Sequence, residues 1–193
     1  MKSAQCDKRL AILQAALELI AEQGFHGAPM AMVADRAGVG AGTIYRYFEN
    51  KDLLIAELYS ALEQKLKVVL MEGYLPEKPI RERFIHLGRA LLRYCIENPL
   101  HFRYIEQFHN SPYGVAFRRD KILGKQGECD VFRELFDDGV AQQVMKDLPL
   151  VILFALAFGP LLTVVRDHIF NFIVLDEPLI ARTVEACWDG IRR

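Results

Sequence analysis

Apolar residues recur along this chain at intervals of three and four, the spacing that stacks side chains on one face of an α-helix, and never in sustained alternation. Leu10, Leu13, Leu17 and Ile20 predict a first helix over 7–23, with Gly24 as its left-handed stop. Pro29 suits the first turn of a second helix that runs through 35–37 and stops at Gly38, and a short third helix carries Thr43 to Phe48. Asn50 caps a long helix with Leu54, Leu58, Leu62, Leu66 and Val69 that ends near Met71, where 72–79 breaks it. Ile80, Phe84, Leu87, Leu91 and Tyr94 mark the next helix, and Asn98-Pro99 opens another with Phe102, Ile105 and Phe108 or His109. A helix over 113–123 follows; Gly124 to Gly127 divides or merely interrupts it before Val131, Phe132, Leu135 and Phe136. The last pair, 149–174 and 178–191, each opens on a proline, and the short turn at 175–177 implies antiparallel neighbours. The fold class is all-α, with one module over 1–50 and a second over 51–193.

Composition alters this picture in two places. With 193 residues, 24 Lys plus Arg against 25 Asp plus Glu, and a net charge of -1, no global field draws the chain to nucleic acid or anionic lipid, so such a partner must meet a local patch. The other place is 148–165, eighteen uncharged residues at the lower edge of what spans a bilayer. Pro149, Gly159-Pro160 and the absence of flanking Lys/Arg clusters or aromatic belts favour a buried or subunit-interface helix. Cys6, Cys95, Cys129 and Cys187 are scattered, which indicates neither a zinc site nor a disulfide framework but a reduced, cytoplasmic chain. Glu18 and Glu22 interrupt the only N-terminal stretch that could serve as an export signal.

The stretch 32–51 carries the chemistry. Two short helices crossing steeply need a small residue at their contact, a residue tolerant of positive φ in the turn and an aliphatic anchor in the second helix. Ala34, Gly38 and Ile44 stand where those needs fall. In such a helix-turn-helix the second helix enters the major groove and presents its N-terminal end to base edges. Ala41, Gly42 and Thr43 form that end, with Thr43 offering a hydroxyl and a methyl. Tyr45, Arg46 and Tyr47 follow, and Tyr45, Tyr47 and Lys51 are candidates for phosphate.

The run Gly42-Thr43-x-Tyr45-x-Tyr47-Phe48-x-x-Lys51, after Phe25 and around Ala34, Ala37, Gly38 and Val39, resembles the TetR/AcrR family of bacterial transcriptional regulators. The resemblance implies a cytoplasmic, DNA-binding homodimer that reads a palindromic double-stranded operator, most often as a repressor, and is released by a small molecule. The chain departs from the family pattern at Ala28 and Pro29, which lack the usual hydroxyls, and at Gly40, where the recognition helix usually has a serine cap. Through Lys51 six basic residues face five acidic ones, a net charge of +1. Few phosphate contacts and a shallow salt dependence are therefore expected.

For the second module the resemblance implies an effector pocket and a dimer face. Tyr59, Phe84, Tyr94, Phe102, Glu106, Phe108, His109, Tyr113, Phe154 and Phe158 are the pocket candidates, aromatic side chains with a few polar groups among them; a carboxylate there would favour an aromatic or cationic effector. Leu153, Leu156, Leu161, Val164, Ile180, Val184, Cys187 and Trp188 are the dimer candidates, on the last two helices. No catalytic motif is present, neither H-E-x-x-H nor G-x-S-x-G nor a phosphate-binding glycine loop, so no enzyme activity, metal or cofactor is expected. The competing reading is a membrane-associated or interaction protein built on the apolar run 148–165.

Overall fold

The computed structural model describes residues 2–122 and 131–193. Among them are ten helices: α1 Lys2–Gln23, α2 Met30–Arg36, α3 Ala41–Ile44, α4 Lys51–Met71, α5 Ile80–Glu97, α6 Pro99–His109, α7 Pro112–Ile122, α8 Val131–Ala141, α9 Leu150–Ile169 and α10 Glu177–Ile191. The only β-type pairing among the described residues is an isolated bridge between Met145 and Arg192. The question of one helix or two around Gly124 and Gly127 lies outside the described residues.

Boundaries move where local chemistry outweighs hydrophobic spacing. Pro29 is the N-cap of α2 and not a helical residue; its carbonyl accepts the first bond of the helix, from Val33 N–H at 3.1 Å. α3 starts at Ala41, two residues before the expected Thr43, and ends at Ile44. Arg46, Tyr47 and Phe48 are held by turn bonds to the carbonyls of Thr43 and Ile44. Gly40 has no side chain to cap with, and Gly42 and two β-branched residues give this segment low helix propensity. α9 stops at Ile169 and not Val174, because Asn171 turns left-handed at φ +61°. α10 gains a capping bond, its Leu179 N–H donating to the Asp176 carboxylate at 2.9 Å.

The chain divides into two compact units, Met1–Lys65 with Asn98–Arg119, and Leu66–Glu97 with Asp120–Arg193. The first unit is therefore larger than the expected 1–50 module: it takes in most of α4, all of α6 and most of α7. Its core is built on α1, where Ile12, Ala16, Leu19 and Ile20 are at most 1% exposed. They pack with Val33, Ala34, Ile44, Phe48, Leu54, Ile55, Tyr104 and Phe108. Leu10, expected on that face, is 59% exposed instead. In the second unit α5 packs against α8, α9 and α10, and Phe84, Leu87, Leu92, Phe136, Leu161, Val165 and Val184 are fully buried.

Six of the eight residues expected at a dimer face belong to this second core. Leu153, Leu161, Ile180, Val184, Cys187 and Trp188 are between 0% and 5% exposed within a single chain, where they pack in its own core. Leu156 is exposed and Val164 half-buried. The apolar surface of α9 lies on its other side, at Val151, Ile152, Leu156 and Leu162, and continues into Phe170, Phe172, Ile173 and Val174. Hydrophobicity runs all round this helix, which is why spacing alone did not tell its two faces apart.

Candidate nucleic-acid interface

The geometry of the turn follows from Gly38, whose φ of +65° is a left-handed conformation open to glycine at no steric cost. Its N–H reaches Asp35 O at 3.1 Å, and the next residue, Val39, donates to Ala34 O at 3.0 Å. The chain thus reverses over the C-terminus of α2 and enters α3 at Gly40. Ala34 and Ile44, both 0% exposed, are the packed contact of the two helices. With Ile44 and Phe48 as anchors, Ala41, Gly42, Tyr45 and Arg46 are left exposed on the opposite side. Thr43 and Tyr47 are half-buried, and Tyr47 packs on the core. Ala28, one of the departures from the family pattern, is 0% exposed. Pro29 is exposed at the start of α2.

Lys51 is placed differently from the expectation. Its ammonium donates to the carbonyl of Phe25, and burial lowers its pKa, with Asp52 opposing that shift. It ties the loop after α1 to the start of α4. Other cations of the module are also engaged internally. Arg9 pairs with Glu57 and stands 5.1 Å from the Phe48 ring, and Arg36 reaches Glu18 and Glu22 at 3.5 and 3.4 Å. Lys8 and Arg46 are exposed and have no ion pair among the described residues.

The ten pocket candidates fall into separate groups. In the first unit Tyr59 stacks on Phe108 at 4.0 Å and meets His109 and Phe117 edge-on, while Tyr113 approaches Phe25 at 5.6 Å and donates to Asp52 at 2.7 Å. Phe102 is buried there and Glu106 half-buried. In the second unit Phe84, Phe154 and Phe158 join Phe132, Phe136 and Trp188 in another cluster, with centroids 4.7 to 6.0 Å apart. Tyr94 lines a cleft on α5, and burial pushes its hydroxyl up to about 12. Within the first unit Tyr59 and Phe108 pack ring on ring, and within the second Phe84, Phe154 and Phe158 do the same. The cleft itself was missed, although Arg81, Arg89 and Arg93 fall on one face of α5 at offsets of eight and four and could have signalled it.

Two short helices joined by a tight glycine turn, packed through Ala34 and Ile44 with the second helix exposed on its other side, among described residues that are otherwise helical, have the form of a helix-turn-helix DNA reader. Residues 12–58 match the model of bacterial regulatory proteins of the tetR family, and residues 79–192 match the tetracyclin repressor-like C-terminal domain. The chain belongs to the TetR family of transcriptional regulators. It is 33% identical to the HTH-type transcriptional regulator YhgD of Bacillus subtilis, over 72% of this chain and 73% of that protein. It is 35% identical to the HTH-type transcriptional repressor KstR of Mycobacterium tuberculosis, over 50% of this chain and 44% of that one. The fold is shared with a TetR family regulator of Marinobacter aquaeolei, at a TM-score of 0.85 and 22% identity, covering 100% of this chain and 99% of the other.

Proposed function

We propose that this regulator binds a palindromic operator as a homodimer and represses transcription until a small apolar or amphipathic molecule binds its second unit. The observation that carries the reading is the exposure of Ala41, Gly42, Tyr45 and Arg46 above the buried anchors Ile44 and Phe48. Thr43 and Tyr47 flank that surface. Tyr45 and Arg46 contact phosphates, and the glycine-rich helix start lets the backbone approach base edges. Lys51 acts indirectly, by holding the start of α4 against the Phe25 carbonyl. The sense of regulation follows relatives such as KstR that are named repressors. The working place is the cytoplasm, and the role is regulatory and not catalytic.

One reader makes too few contacts for useful specificity, so two copies take half-sites about one helical turn apart. The exposed side of α9 is the surface they share. By length and composition α9 is the one helix among the described residues that could cross a membrane, with a mean hydropathy of 1.9 and only 28% of that stretch buried. A second copy, in place of lipid, covers it in this reading. The effector shifts the population toward a dimer whose reader spacing no longer fits the operator. Fluorescence anisotropy with DNA recovered by footprinting is the test. Tyr45→Ala with Arg46→Ala loses binding while helix content and melting stay unchanged; binding retained by that variant overturns the assignment.

A further inference from the structure

On the second unit, the C-terminal turn of α4, the segment 72–78 and one face of α5 enclose an open cleft of about 710 Å³, with Glu185 of α10 at its edge. That volume lies within the range of small-molecule sites, roughly 300–1,000 Å³. Five cations line it, and four are already engaged. Lys78 meets Glu82 at 3.2 Å, Arg81 meets Glu185 at 2.6 Å, and Arg83 reaches both Tyr74 Oη and Asp138 at 2.8 Å. Arg93 grips both carboxylate oxygens of Glu177, Nε to one at 2.8 Å and a terminal nitrogen to the other at 2.5 Å.

Arg89 is the exception. Its Nε is buried and has no hydrogen-bond partner among the described residues. The charge of Arg89 is felt at Glu177, yet Glu177 spends both oxygens on Arg93. A buried donor of a charged group without an acceptor is costly, and native structures rarely leave one without a reason. The fork of Arg89 fits a planar carboxylate, and Arg93 stands one turn along the same face of α5. Val69, Leu75, Ile85 and Ala90 give the same wall apolar surface. Because the remaining lining charges, Lys78, Arg81, Arg83 and Arg93 against Glu72, Glu82, Glu97 and Glu185, cancel, Arg89 supplies the uncompensated positive charge of the cleft.

We infer that this cleft is a binding site for a small organic carboxylate with an apolar body, and that Arg89 is the residue that receives its carboxylate. The charge of this ligand is opposite to that of the cationic effector that Glu106 suggested. The inference goes beyond the operator reading and stands or falls without DNA.

Isothermal titration calorimetry of the full chain, free of DNA, tests it with octanoate, octanol and octylamine, which share one apolar body and differ in the head group. Octanoate binds, and the other two bind at least about tenfold more weakly. Arg89→Gln lowers octanoate affinity roughly ten- to a hundredfold and leaves octanol unchanged. Should Arg89→Gln fail to fold by circular dichroism, Arg89→Lys keeps the charge and stem without Nε and is expected to lose most of the octanoate affinity. Absence of octanoate binding, equal binding of octanol, or wild-type octanoate affinity in a folded Arg89 variant would overturn the assignment. Loss of operator binding in the Tyr45 and Arg46 variant bears on the reader alone, so the two readings fail separately.

Discussion

A Cβ added at Gly38 would meet nothing within 4 Å, yet the backbone there has φ +65°. Gly38→Ala therefore isolates conformational strain from steric clash and is expected to cost about 1–2 kcal/mol in urea unfolding, with Gly38→Asn costing less. His101 supplies a residue-scale pH prediction. Burial, helped by Lys65, holds its pKa below the ordinary 6.5. The unfolded chain then takes up the proton first, so stability declines as pH falls below about 6.5 and stops declining once pH passes below the folded value. Chemical denaturation across that window should show His101→Gln flattening the acid-side slope; an unchanged slope would assign it to other groups. At Arg46, one lost phosphate contact per reader predicts a salt slope shallower by about 1 for each subunit in Arg46→Ala, measured by operator titration. The parent slope is itself expected to be modest, because Arg9, Arg36 and Lys51 hold partners inside the module.

Between elements, the closest approach of α5 and α10 is set by Gly88, where a Cβ would stand 2.6 Å from Val184 Cγ1. Gly88→Ala must push the helices apart and is expected to cost about 1–3 kcal/mol, while Val184→Ala in the same chain returns part of it. A double-mutant cycle by thermal unfolding measures that coupling. This is also the scale at which the limits of sequence reading are plainest. Existence, type and order of the helices were legible because Leu54, Leu58 and Leu62, or Phe84, Leu87 and Leu91, repeat with the helix period. The turn was legible because Ala34, Gly38 and Ile44 each answer a separate steric need. The faces of α9 were not: with Leu153 and Leu161 buried and Leu156 and Leu162 exposed, both sides read as apolar. The membership of α6 in the reader's unit depends on its packing against α1, contacts between residues some 80 positions apart that no local pattern encodes. The spacing of Arg81, Arg89 and Arg93 could have signalled a basic face on α5, but that the Nε of Arg89 lacks a partner among the described residues requires coordinates.

For the whole molecule, the apolar surface of α9 with Phe170 and Phe172 is the feature to challenge. Ile152→Glu with Leu156→Glu should convert the dimer to monomer in size-exclusion chromatography and weaken operator binding by roughly a hundredfold, since a tethered second reader multiplies affinity without new contacts. A dimer that survives both changes would place the interface elsewhere. The core beneath that surface has a further use. Trp188 is the chain's single tryptophan, buried against Phe84 in the second unit, while the first unit holds five of the seven tyrosines and no indole. Indole emission is thus a built-in optical reporter of one half of the chain, and far-ultraviolet ellipticity records both. Followed together during denaturation, the two signals show whether the DNA-reading half melts on its own or only in step with its partner half, with no label attached.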